Sequence, residues 1–472
     1  MDKVLFFVPH EDDELLIGGG LLVSLARDEK YDVNVVIATN GDYYPYEHPN
    51  RIEESISALN TMGIDNDHII FLGYGDGWQG KHIYNSKPNE IKTSAAGHRE
   101  TYLVGSLKEW HYQRHQCHQV YTRQGYLDDI KDVIVTKRPE TIICVDMDPH
   151  QDHRCLSLLV EEALADVLKT DHSYRPILLK KYAYKDMLLG IQDYYSYPHN
   201  RTVNRTKGIW NPYFQWDDRI SYNVPRDCNT IFLHNNLLYK ISRAYRTQDI
   251  WTKAPAFINE DITYWQRNVN NEMLNASITV SSGKKEFLND FKLVTSTNIQ
   301  NENIDYLQEC WRPAQSDQIR TIEADFPIPI TILEVNIFFN CPDGLEGKYT
   351  INIRNKDGDV LTLDRKLSIK HSFSIEKIKM NMNHASHIEF CFGSLSGNLG
   401  IGEIEILQAK QAIPFSQYLY VTKNQGIQAL NRVIKLLLLV EKGIMKLEKA
   451  IYFRVDPWRK RKSEYDKDRQ TC

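Results

Sequence analysis

Four short apolar runs, Val4–Val8, Val33–Ala38, His68–Leu72 and Thr141–Val145, each break off into a cluster of polar residues. No other feature constrains this chain as strongly. The runs lack the alternation of a half-exposed strand, and helical spacing follows at Leu15–Arg27, Arg51–Met62, Tyr126–Lys137 and Cys155–Leu168. In the second of these segments Ile52, Ile56 and Leu59 share one side and Gly63 supplies the stop. Strands buried on both faces and separated by helices predict an α/β domain with a mostly parallel sheet and helices on both faces. Ligands of such sheets collect at the carboxyl ends of the strands. The clusters there are His10-Glu-Asp-Asp-Glu14, Asn40-Gly-Asp42, Gly75-Asp-Gly77 and His150-Gln-Asp-His153. One geometric rule therefore gathers four distant stretches of sequence at one rim.

The first and last clusters have the chemistry of a metal site. His10 and Asp13 leave the first strand three positions apart, and His153 follows the fourth strand. Zinc accepts imidazole nitrogen and carboxylate oxygen, and a catalytic site keeps three protein ligands and one open position. Two histidines and a carboxylate also suit iron(II), so Zn2+ and Fe2+ both stay open as the cofactor. The alternative is that the acids solvate loops and the histidines are ordinary polar residues. Two such clusters at strand ends of one sheet argue against it.

The Pro9-His-Glu-Asp-Asp-Glu14 stretch, paired with the downstream His-x-Asp-His153, resembles the PIG-L/LmbE-like zinc-dependent de-N-acetylases. The likeness extends to Asn40-Gly-Asp42, Arg51-x-x-Glu54 and Leu72-Gly-Tyr-Gly-Asp-Gly77, and covers roughly residues 1–275. Glu11 departs from it, since proline is commoner there in the family. The resemblance implies a Rossmann-like domain that hydrolyses the N-acetyl amide of an amino sugar or glycoconjugate. It implies His10, Asp13 and His153 as metal ligands and Asp12 as the general base that takes a proton from water. His150 matches the position that stabilises the oxyanion and assists the leaving amine as an imidazolium, and Asp152 orients or charge-stabilises a histidine. Arg51, Asp76 and Gly77 resemble substrate contacts. The competing fate of Arg51 is a surface pair with Glu47 or Glu54. Tyr43, Tyr74 and Trp78 lie beside these loops and could stack on a sugar ring, although packing is the commoner use of such rings. His82, His98, His111, His115 and His118 belong to a loop-rich insertion over about residues 80–120 and read as polar loop residues.

At 472 residues the chain exceeds a single core. The reading divides it into a deacetylase domain (1–280), a β-sandwich (290–410) and a helical basic tail (411–472). Strand-like stretches at Ile332–Phe339, Tyr349–Arg354, Ser372–Ile378 and Ile388–Phe392 alternate with turns at Pro342-Asp-Gly and Lys356-Asp-Gly. The Gly400-Ile-Gly-Glu-Ile-Glu-Ile-Leu407 stretch resembles the last strand of galactose-binding-like sandwiches, which implies either glycan binding or simple packing on the first domain. In the tail, Val433, Leu437, Val440, Ile444, Leu447 and Ile451 recur in steps of three and four, one face of a helix. Residues 432–462 carry ten Lys/Arg against three acids, with Trp458 and Arg459-Lys-Arg-Lys462 at the end. Docking or self-association of this helix and peripheral contact with an anionic membrane are the two readings. A net charge of -5 argues against a nucleic-acid partner. Eight scattered cysteines without a CxxC pair fit a reducing compartment, and the five-residue apolar start is a poor leader. The expectation is a cytoplasmic protein, peripheral at the inner membrane surface if the tail binds lipid. The sequons at Asn200 and Asn275 then carry little weight. Two other functions keep the site but change its use: an amidase on a non-sugar or thiol-conjugate amide, and a catalytically silent glycan-binding protein.

Overall fold

The computed structural model describes residues 1–44, 46–184, 188–189, 208–209, 213–214, 218–230, 232–294, 309–341, 343–370, 373–420, 432–456 and 461. Asn200, the 303 start of the sandwich pattern, Pro342, Ser372, Trp458 and most of the 459–462 basic run lie outside the described residues.

The first domain runs β1 (Asp2–Val8), α1 (Asp13–Ala26), β2 (Tyr31–Thr39), α2 (His48–Met62), β3 (Ile69–Tyr74), α3 (Trp110–His115), α4 (Arg123–Lys137), β4 (Thr141–Val145), α5 (Gln151–Thr170) and β5 (Ile177–Lys181). A two-residue pair, β6 (Leu188–Leu189) and β7 (Gly208–Ile209), precedes β8 (Ile220–Asn223) and β9 (Asp261–Arg267). The large sheet has the order β3-β2-β1-β4-β5-β9-β8. β1 to β5 are parallel, and β9 and β8 add antiparallel strands at one edge. Strand order reverses between β1 and β4, so the crevice that receives ligands in such sheets opens where those two strands end. β1 and β4 carry the His10 and His153 clusters. Their apolar runs are buried because helices cover both faces of the sheet, which explains the absence of alternation.

The sandwich comprises β10 (Ser277–Val280), β11 (Thr321–Asn340), β12 (Leu345–Asn355), β13 (Val360–Ile369), β14 (Phe373–Cys391), β15 (Leu395–Gly397) and β16 (Ile401–Leu407). β11 and β14 are long strands that pass through both layers. The first part of β11 pairs with β10 and the end of β14, while its last part pairs with the start of β14 and with β16. Register shifts between Asp325 and Glu334 make the bend. Hence the two runs expected at 372–378 and 388–392 belong to one bent strand, and β13 is an addition to the sequence reading.

Two features tie the sandwich and the tail to the first domain. Arg267 of β9 donates to Glu161 of α5 at 2.7 Å and lies 4.0 Å from Glu405 of β16. Glu403, also on β16, accepts from the Asn271 side chain (3.0 Å) and the Phe291 amide (3.1 Å). The Gly-Ile-Gly-Glu-Ile-Glu stretch is therefore part of the joint between domains. Beyond it Phe415 enters the first core beside Tyr31 and Tyr222, and the C-terminal helix (Arg432–Val455) packs there through Met445.

That helix docks by the side opposite to its regularly spaced apolar face. Leu438, Glu441 and Met445 are buried, whereas Leu437, Val440, Ile444, Leu447 and Ile451 are exposed. His234 fixes the choice. Its amide and Nδ1 meet Glu441 Oε1 at 2.9 and 2.8 Å, and its Nε2 lies 3.2 Å from Glu448.

Candidate metal centre and pocket

β1 ends at Val8, and the chain turns through Pro9 and His10 into α1, which starts at Asp13. Asp12, the N-cap, has φ 156°, a conformation that side-chain-bearing residues rarely adopt. Strain of this kind persists where surrounding structure enforces it. Here the Asp12 and Asp13 amides bond back to the His10 carbonyl, and Glu14 accepts from the Asp12 amide. Glu14 is itself buried and held by Ser55 and Tyr245, so three elements brace one turn.

His153, on the first turn of α5, is buried and makes its Nδ1 hydrogen bond to Asp148 Oδ2 at 2.8 Å. Its Nε2 lies 3.1 Å from Asp13 Oδ2, yet lacks a hydrogen-bond partner. The same Asp13 oxygen lies 3.2 Å from His10 Nδ1. On the far side of the His10 ring, Nε2 is 3.4 Å from Asp76 and 3.6 Å from Asp152, again without a hydrogen bond. Four ligands about 2.0–2.1 Å from a tetrahedral zinc ion stand roughly 3.3 Å from one another. The two contacts of Asp13 Oδ2 match such edges. The groups of three whose ligand atoms all lie within 4.8 Å of each other are His10–His150–His153 and His10–Asp76–Asp152; the expected set of His10, Asp13 and His153 is not one of them, and shares its histidines with the first.

The electrostatics ask for a cation. Burial opposes charge on His153, but Asp13 and Asp148 on either side hold its pKa up at about 10. His10 behaves alike: burial works against the charged ring, and Asp76, Asp13 and Asp152 lift it well above its ordinary value. Without a metal, protons take the positive charge that these carboxylates require. The donor set therefore fits a divalent cation, with Asp148 fixing the His153 ring as outer carboxylates do for ligating histidines.

Around this centre lies a pocket of about 720 Å³. His10, Asp12, Asp13, Arg51, Asp76 and His150 line one part of it; Tyr184, Thr252, Lys253, Phe257 and Lys449 line another. Asp12 is partly exposed there, and burial followed by repulsion from Asp13 raises its carboxyl to about 6. His150 caps α5, accepting from the Asp152 amide at Nδ1 (3.3 Å), which leaves Nε2 to carry the proton. Burial and then the facing His10 and His153 depress its pKa to about 4, which favours the neutral ring over the imidazolium. Asp152 accepts from His82 Nε2 at 3.0 Å.

Arg51 is a buried pocket residue, 3.3 Å from Glu11 and 3.4 Å from Asp76, not a surface partner of Glu47 or Glu54. Glu11 consequently has a chemical role: it is buried, its carboxyl is raised to about 8, and it abuts the guanidinium. Gly41 passes so close above that a Cβ there would lie 2.3 Å from Glu11 Oε2 and 2.5 Å from Arg51 Nε. Gly77 is not among the lining residues; its φ of +80° serves the turn, against Tyr43. Tyr74 is core, stacked on Tyr126 at 3.9 Å and bonded to Asp129. Trp78 packs edge-on against Tyr121.

Asp148, His82, Lys253 and Lys449 contribute to the site and are not singled out by the sequence. Asp148 stands five residues before His153, and its place beside a strand end was the one available signal. His82 was assigned to the solvated insertion but is buried on Asp152. His111 and His118 likewise pair with Asp129 (2.7 Å) and Glu109 (2.8 Å). Lys253 and Lys449 reach the pocket from irregular or distant segments and give no local pattern.

Fold and site together define an α/β domain with a pocket lined by histidines and carboxylates at the switch point of its sheet, a set that could hold a cation. Residues 5–164 match the family model of PIG-L, GlcNAc-PI de-N-acetylase, and the chain carries a PIG-L family domain there. No curated protein matches the chain. Among solved structures, the chain is similar to CpGH89CBM32-6 produced by Clostridium perfringens (19% identity, TM-score 0.21, 29% of this chain and 94% of that one). It is also similar to the family 32 CBM from C. perfringens NanJ in complex with galactose (12% identity, TM-score 0.21, 29% and 95%). A third is the lectin domain of lectinolysin complexed with Lewis B antigen (13% identity, TM-score 0.23, 30% and 99%). The sandwich assignment rests on the strand pairing above, not on these scores.

Proposed function

We propose that the chain is a divalent-metal-dependent hydrolase that removes the acetyl group from an N-acetylated amino sugar or glycoconjugate. The observation that carries this reading is the buried His153 Nε2 facing Asp13 Oδ2 at 3.1 Å, with His153 Nδ1 already committed to Asp148. His10, Asp13 and His153 would hold the ion. When bound, zinc or iron(II) supplies Lewis acidity toward the amide carbonyl and makes water more acidic.

The protein's own groups account for the rest. Asp12, with its carboxyl near 6, takes the proton of the attacking water and returns it to the departing amine. Neutral His150 donates from Nε2 to the carbonyl oxygen as negative charge develops there. Arg51 and Asp76 offer a donor and an acceptor to sugar hydroxyls or a phosphate. The products are acetate and a free amine. The sandwich is a second proposed site of glycan contact.

The test is acetate release from a panel of acetamido sugars, nucleotide sugars and glycans, using protein reconstituted with zinc or iron(II). Release that stops on chelation and returns with metal is expected. A fully metallated protein that releases acetate from none of them would contradict the proposal.

A further inference from the structure

The C-terminal helix leaves a long apolar surface uncovered. Leu436, Leu437, Val440, Ile444, Leu447 and Ile451 each expose between 46% (Leu437) and 63% (Leu436) of their surface. At 100° per residue they form one stripe about 100° wide along a helix roughly 36 Å long. The charges beside it are sorted. Both acids of the helix interior, Glu441 and Glu448, turn to the docked side and bond His234. Arg432, Lys435, Lys446 and Arg454 lie on the exposed side.

We infer that this stripe is a docking surface for an anionic lipid bilayer. An apolar face with a cationic border is the pattern of helices that lie in the membrane interface, where the apolar residues enter the acyl boundary and the bases meet lipid phosphates. Among the described residues no helix is long and apolar enough to cross a membrane, so this one lies on it. A second copy of the chain fits less well. A helix packed along the stripe needs opposite charges at the flanking positions. One flank holds Glu441 and Glu448, already engaged with His234, and the other holds Leu436, Gly443 and Ala450. With those two glutamates engaged, the exposed Arg432, Lys435, Lys446 and Arg454 would find no available carboxylate along a second copy's stripe, whereas anionic lipid satisfies both the apolar face and the bases. Because Lys449 of the same helix lines the pocket, the element that meets lipid also borders the candidate active site.

Flotation of the full-length protein tests this. The vesicles are phosphatidylcholine alone or mixed with phosphatidylglycerol, at low and high salt, with light scattering to give the mass in solution. Wild type is expected to float with the anionic vesicles and to be released by salt. Ile444→Gln/Leu447→Gln is expected to weaken partitioning about tenfold or more, and Lys435→Gln/Lys446→Gln to remove the preference for anionic lipid. Circular dichroism of the exposed-site variants, and their acetate release from a soluble acetamido sugar, should match wild type. A wild type that does not float, or variants that float equally, would overturn the inference. So would a dimer that Ile444→Gln/Leu447→Gln dissolves while no species binds vesicles. Flotation without acetate release would count against the enzymatic proposal and leave lipid docking standing.

Discussion

At the scale of single residues, two aspartates beside different site histidines, Asp12 near His10 and Asp148 on His153, have separable jobs. Asp12 faces the pocket with a carboxyl near 6 and no part in the donor set; Asp148 is fully buried behind His153. We predict that Asp12→Asn keeps its metal and loses about 10²–10⁴-fold in kcat. Asp148→Ala instead lowers metal affinity about 10–100-fold, with activity restored by excess metal. Metal titration beside kinetics checks both, and equal metal loss in the two variants would refute the division of labour. That the His10 and His153 clusters meet was legible because carboxylates and imidazoles at strand ends are conspicuous in a sequence. Asp148 and His82 were not, since their meaning comes from tertiary contacts with His153 and Asp152. The charge on His150 was also beyond sequence, because it depends on two rings brought within 5.3 Å by folding: His10 and His153 each lie 4.7 Å from it.

At the scale of elements, the C-terminal helix shows why periodicity alone does not decide burial. Residues 436–440 read Leu-Leu-Leu-Leu-Val, so apolar positions occur all round, and either side could have docked. His234 selected the side bearing Glu441 and Glu448. Burial disfavours its charged ring, but hydrogen bonds that the ring donates to both glutamates raise its pKa above the ordinary 6.5. A raised folded pKa means stabilisation that is complete below the unfolded value and fades as pH climbs through the folded one. We predict that the helix loosens as pH rises above the ordinary 6.5 and through the raised pKa of His234, and that His234→Gln flattens this dependence. Hydrogen exchange over residues 432–456, corrected for intrinsic rates, is the measurement; protection independent of pH in wild type would refute the latch. The first four strands of the first domain, by contrast, were readable to within two residues, because burial on both faces leaves uninterrupted apolar runs; β5, β8 and β9 were not, being short or broken by polar residues such as Lys180, Ser221 and Gln266.

At the scale of the whole molecule, the three segments expected from composition share buried charge. Arg267 links Glu161 on the catalytic side to Glu405 on the sandwich, with its second nitrogen on the Phe291 carbonyl. Arg267→Met strands buried carboxylates, a change that costs about 3–5 kcal/mol when a buried pair is broken. The expected result is a large fall in thermal stability that affects both domains together; separate transitions with an unchanged catalytic domain would contradict it. Removing everything after residue 280 would likewise uncover core contributed by Phe291, Val294, Phe415 and Met445, so the domains work as one body. That interdependence was hidden in the sequence because its partners are more than a hundred residues apart. The central claim, a single catalytic cation between β1 and β4, is tested most directly by anomalous diffraction at the absorption edge of the bound metal. The account predicts one peak about 2.0–2.2 Å from His10, Asp13 and His153; a peak held instead by Asp76 and Asp152, or no stoichiometric metal, would contradict it.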